Sequence, residues 1–147
     1  MSIMIIDRWF MGIITLMAIN YPTAGEYHIP SYQISALPYV TSSIINLGEI
    51  HRYDFPFVTT FIDVVNRGAG AGDLIAIGFT ENGITKSGNY VSINRGASVN
   101  EEIRTTTLFI SCSVGTSVDY QLFCGLTTIP SKNFLPITGS NGHSGVG

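Results

Sequence analysis

Three histidines, two cysteines and ten carboxylates are the side chains through which this 147-residue chain could do acid–base, nucleophilic or metal chemistry. Their spacing gives little support to any of the three. His28, His51 and His143 never fall in an H-x-H or H-x₃-H pattern, so with only Cys112 and Cys124 to help them they make a poor zinc set. A metal-binding cupin would likewise need clustered histidines. Glu49 and His51 fall on the same side of a strand with Asp54 close by, which permits an acid–base pair, although a solvated strand end carries the same residues more often. Glu101-Glu102, after Asn100, reads as solvated charge in a turn. Gly68-Ala69-Gly70-Ala71-Gly72 has the composition of a phosphate loop but the wrong spacing. A dinucleotide loop needs G-x-G-x-x-G ahead of a helix, and a Walker loop needs Lys followed by Ser or Thr, whereas here the next element reads as a strand. These residues therefore assign no catalytic, cofactor-binding or metal-binding position, and the expectation is a protein that is not an enzyme and carries no cofactor.

Composition points toward packing. Charged residues make up 12 % of the chain, about half the usual quarter, while hydrophobic residues are an ordinary 45 %. Charge is scarce where surfaces are buried against partners, because desolvating it is costly. The alternative is a Ser/Thr-rich monomer. The seven Lys and Arg are scattered and the net charge is −3, so no basic stripe is offered to a nucleic acid. No Asn-x-Ser/Thr glycosylation sequon occurs.

The elements that must position these residues read as strands. Ser43–Tyr53, Phe57–Val65, Leu74–Thr80, Asn89–Asn94, Ile103–Ser113 and Ser117–Thr128 are rich in Val, Ile, Thr, Phe and Tyr. Turn clusters separate them, including Asn66–Asp73 and Glu81–Gly88 with its Asn82-Gly83 pair. No stretch after residue 40 carries sustained helical spacing with caps. The expected fold is all-β, a single antiparallel jelly-roll sandwich. One domain is expected: residues 1–42 as an N-terminal arm or first strands of the same domain, 43–135 as the jelly-roll body, and 136–147 as a Gly/Ser-rich tail.

Ile103–Ser113 and Ser117–Thr128 read as a hairpin about Gly115, with Leu108 facing Leu122, Ile110 facing Tyr120 and Cys112 facing Val118. In that register Cys124 opposes Thr106. The two cysteines then lie about six residues apart, roughly 20 Å along the ladder, too far for a disulfide. Two free thiols buried in the core are expected.

Trp9–Ile19 (WFMGIITLMAI) is apolar but shorter than the roughly 20 residues a bilayer span needs. Its uncharged leader makes a poor signal peptide, though the small residues Thr23, Ala24 and Gly25 leave cleavage open. It reads as a buried strand or short helix; the alternative is an arm that docks on a neighbour or touches a membrane.

The stretch Leu74–Pro130 resembles the C-terminal half of small single jelly-roll proteins at viral vertices, the pentons of large icosahedral double-stranded DNA viruses. The carriers are Gly78-Phe79, the strand and turn Leu108–Gly115, and Gly125-Leu126-Thr127 before Ile129-Pro130. The resemblance implies a capsid protein of the virion, assembled in the host cytoplasm. It would form a homopentamer that plugs the vertex, contacts the surrounding major and minor capsid proteins, and makes no contact with nucleic acid. Two other classes stay open: a jelly-roll ligand- or receptor-binding module or minor spike or decoration protein, with Tyr90 and Phe134 as loop aromatics, and a hydrolase or cupin-like enzyme.

Overall fold

The computed structural model describes residues 36–134 and Val146. Eight strands form two four-stranded antiparallel sheets. They are β1 (Leu37–Asn46), β2 (Ile50–Asp54), β3 (Phe57–Asn66), β4 (Leu74–Gly78), β5 (Val91–Asn94), β6 (Ser98–Glu101), β7 (Thr107–Val114) and β8 (Ser117–Pro130). One sheet has the order β1-β8-β3-β6, here the β1 sheet, and the other β2-β7-β4-β5, the β2 sheet. Chain and spatial orders interleave as two Greek keys, so the fold is a jelly-roll β-sandwich, as the strand pattern predicts. Among the described residues the helical elements are a π-helical segment, Gly83–Ser87, and a 3₁₀ turn, Ser131–Asn133.

Alternation decides which side chains enter the core. Ile62 and Val64 of β3 are 0 % exposed, as are Val118, Tyr120, Leu122 and Cys124 of β8. They meet Ile75, Ile77, Leu108 and Ile110 of the β2 sheet in one cluster. Each such aliphatic side chain contributes about 1.5–3 kcal/mol when fully withdrawn from water.

Several expectations need correction. Ile103–Ser113 and Ser117–Thr128 do not form a hairpin. β7 pairs with β2 and β4, and β8 with β1 and β3, in opposite sheets. Leu108 therefore sits opposite Tyr53 and Leu122 opposite Thr41 and Val64, while Cys124 faces Tyr39 and Ile62 instead of Thr106. The inward set was right and the neighbours were wrong, because alternation fixes the face of a strand but not its partner. Between the two strands the chain changes sheet in two residues. Gly115, at φ 118°, makes this possible: a Cβ there would stand 2.6 Å from Asp73 Oδ1.

Ser43–Tyr53 is not one strand either. It breaks at Leu47–Glu49, where Gly48 takes φ 83°, and the chain passes from one sheet edge to the other. β1 begins at Leu37, so its first six residues precede the boundary read from the sequence for the jelly-roll body. Glu101 closes the short strand β6, opposite Ile62, and is not part of a turn. Asn82 is right-handed helical and leads into the π-helical segment, so Asn82-Gly83 is not a hairpin turn.

Candidate functional site

The sequence-predicted chemical residues fall into three places. The glycine-rich loop between β3 and β4 wraps its own aspartate. The Gly70 N–H donates to Asp73 Oδ2 at 2.7 Å, and a Cβ on Gly68 would lie 2.5 Å from the same oxygen. The glycines at 68, 70 and 115 thus leave room for the Asp73 carboxylate, which occupies the space a phosphate would need.

Glu49 and His51 do not form a hydrogen-bonded pair. His51 Nε2 stands 4.0 Å from Glu49 Oε2. That oxygen already accepts from the backbone N–H and the side-chain amide of Asn46, both at 3.0 Å, and the backbone bond in particular lowers the Glu49 pKa. The other imidazole nitrogen, Nδ1, turns inward to the Tyr120 hydroxyl at 2.6 Å, and Tyr53 reaches the same hydroxyl at 2.5 Å. Ser43, opposite Tyr120 on β1, bonds it as well. A phenol offers one proton and two lone pairs, so one of these partners accepts while two donate. The cluster ties β2 to β1 and β8 across the sandwich. Burial, and next the Tyr53 hydroxyl, push the Tyr120 pKa well above its ordinary value and keep it protonated. Asp54 is spent on Arg52, 2.9 Å away, and on the Thr107 hydroxyl. His28 and His143 lie outside the described residues.

Both cysteines are free and buried, as expected, although they belong to opposite sheets and the ladder separation inferred for them no longer applies. Burial raises both thiols, that of Cys124 to about 12, with Asp63 adding to the effect. A raised folded-state pKa means that stability is fully present below the unfolded thiol value, near 8.5, and is lost as pH rises through about 12. Tyr120 acts in the same direction. Urea midpoints are therefore expected to fall steadily from about pH 9 upward, and Cys124→Ala to flatten that fall; a flat wild-type profile to pH 11 would contradict the assignment. In native buffer a thiol reagent should find neither cysteine, and in denaturant both.

The two sheets differ on their outer faces. On the β2 sheet, Ile84 of the π-helical segment packs on Ala76 and Phe109. The Arg52 guanidinium lies 5.7 Å from the centre of the Phe109 ring. On the β1 sheet the outward row runs Val40, Phe123, Asp63, Asn100 across the four strands, with Phe61 and Val65 flanking Asp63. Val40 and Ile44 are 58 % and 62 % exposed and Phe123 is 37 % exposed. Phe61 and Phe123 pack edge to face, 5.2 Å apart. Val40, Asp63, Val65, Gln121 and Phe123 line a shallow depression of about 340 Å³. Within it Asp63 Oδ1 is buried with no hydrogen-bond partner among the described residues. Sequence reading missed this face because β1 was not traced back to Val40; apolar residues alternating into a surface row were the available signal.

Among the described residues, no group of three His, Cys, Asp or Glu could hold a metal ion, and no helix is long and apolar enough to cross a membrane. No family model and no curated protein matches the chain. Solved structures similar to it include a de novo designed double-stranded β-helix, at 17 % identity over 57 % of this chain and 95 % of that one, TM-score 0.39. A Bacillus halodurans protein is 12 % identical over 77 % and 91 % of the two chains, TM-score 0.39. A structure from the disulfide-linked pili of Bacillus endospore appendages is 13 % identical over 63 % and 91 %, TM-score 0.37.

Proposed function

We propose that this protein is a structural subunit of a symmetric assembly and, at the finest level, the pentameric vertex capsomer of a large icosahedral double-stranded DNA virus. The observation that carries the reading is the outer face of the β1 sheet, where Val40, Ile44 and Phe123 are exposed among the described residues, while on the opposite sheet Ile84 packs over Ala76 and Phe109. An apolar surface row with a single buried carboxylate suits a permanent contact better than a solvated wall. The jelly roll gives a rigid wedge for such contacts, and cyclic symmetry would reuse one pair of complementary surfaces around a ring. The vertex role itself rests on the resemblance over Leu74–Pro130. In that role the neighbours would be the major and minor capsid proteins, and the location the virion.

Native mass spectrometry of the full chain is expected to give a closed ring of five. Scarce charge at the contacts should keep its mass constant from about 0.05 to 1 M salt. A monomer at micromolar concentration that never enters particles would end this reading and promote the ligand- or receptor-binding module, for which Tyr90, 44 % exposed, is the available loop aromatic.

A further inference from the structure

We infer that the outer face of the β1 sheet is the seat for the apolar segment Trp9–Ile19 of a second copy of this chain, so that neighbours are joined by exchanged arms. The inference rests on the assembly reading above and adds the element that makes the contact.

The seat has two unmet needs. Val40 and Ile44 stand more than half exposed, on the same face as the exposed Phe123 ring and the half-buried Phe61 and Val65. At its floor, Asp63 Oδ1 is withdrawn from water without a donor among the described residues. A buried acceptor left unmatched costs about 1–3 kcal/mol, more when charged, so an occupant that is apolar and also brings a donor gains on both counts.

Trp9–Ile19 fits that description. It is uncharged and apolar except for Thr15, and its N-terminal end carries the Trp9 indole N–H beside the Arg8 guanidinium, each a donor for a carboxylate. Fully extended, it would run for about 36 Å, about the length of the ten-residue edge strand β1. The other carboxylate of this face, Asp119 opposite Ile44, is paired with Arg67 at 3.7 Å, so an uncharged segment meets Asp63 as the carboxylate to be matched.

The route is set by where the chain enters the fold. Ala36, immediately before β1, lies on this same face: its Cβ stands 2.6 Å from where a Cβ on Gly125 would be, next to the Phe61 ring. The arm therefore leaves the body beside the seat. Residues 20–35 connect Ile19 to Ala36 and can reach about 55 Å when extended. That exceeds the width of a 100-residue domain, whose radius of gyration is about 13 Å. With that reach the arm can pass beyond its own body to the seat of a neighbour. Each copy then gives one arm and receives one, a heterologous contact that closes as a ring.

Two full-length variants, Ile14→Cys and Val40→Cys, carrying tags of different size, are co-refolded and mildly oxidised. The buried native thiols do not compete. A disulfide-linked heterodimer is expected, together with a dissociation constant at least about 30-fold higher for full-length Ile14→Asp, as for loss of an interface anchor. Val40→Asp, a surface change that leaves circular dichroism unchanged, should weaken assembly similarly. An oligomer that forms no such cross-link and ignores Ile14→Asp would overturn the arm while leaving the assembly reading standing. A wild-type monomer would remove the assembly reading itself. Cross-linking only within a doubly substituted chain, or flotation with phosphatidylcholine vesicles in place of the cross-link, would likewise overturn arm exchange.

Discussion

Asn66→Ala is expected to lower the free energy of unfolding by about 3 kcal/mol or more. The Asn66 side chain is completely buried at the end of β3. Its Nδ2 donates to the carbonyls of Asp73 at 3.1 Å and Ile93 at 2.8 Å, and its Oδ1 accepts the Gly68 N–H at 2.9 Å. Ile93 belongs to the β2 sheet and Asn66, cross-strand partner of Tyr120, to the β1 sheet, so one amide joins the layers and fixes the start of the glycine loop. Alanine would strand three backbone groups, each worth roughly 1 kcal/mol or more when buried unmatched, and add a small cavity. Asn66→Asp sharpens the test. It keeps the Gly68 bond but sets a carboxylate oxygen against two carbonyls, so at neutral pH it should be at least as damaging as alanine, with the loss shrinking as acid protonates it. Urea melts of the three proteins decide the matter; a loss under 1 kcal/mol for alanine would show that the amide does not hold the layers together.

Tyr120→Ala should cost about 3–5 kcal/mol, the range for emptying a core aromatic site. The side chain is wholly buried and packs against the rings of His51 and Tyr53, at centroid distances of 5.9 and 6.5 Å. Tyr120→Phe separates packing from the hydroxyl. It should lose only about 1–2 kcal/mol, because His51 and Tyr53 are part-exposed and can turn to water. It should also flatten the alkaline loss of stability, since one of the groups held protonated by burial is gone. Equal losses for Ala and Phe would mean that the hydroxyl network, not the ring, dominates at this position.

The sandwich was legible in the sequence because antiparallel strands with a core on one side leave a period of two that survives in single runs such as Phe57–Asn66 and Ser117–Pro130. β6 was not legible: Ser-Val-Asn-Glu has one apolar residue, and an edge strand that is mostly exposed needs no more. The inward placement of His51 was present in the alternation with Tyr53. Its meeting with Tyr120 was not, because which inward residues face each other across two sheets follows from how the layers dock. The glycine cluster reads as a wide turn from its spacing, but only three-dimensional proximity shows that Asp73 is what the glycines make room for.

The place of β8 has a consequence for how the molecule is made. It is the last strand in the chain order of the sheets, yet it lies between β1 and β3 and pairs with both. β7, just before it, lies in the same way between β2 and β4. During synthesis β1 and β2 therefore emerge with no partner strand, and β3 and β4 gain only β6 and β5. Their apolar rows wait, exposed, until residues 107–130 have left the ribosome. Pairings this distant in sequence make folding slow and the waiting chain prone to aggregation. A nascent chain stopped before Thr107 should be a ready client for chaperones, and protease resistance should appear in a single late step once β8 is free to insert.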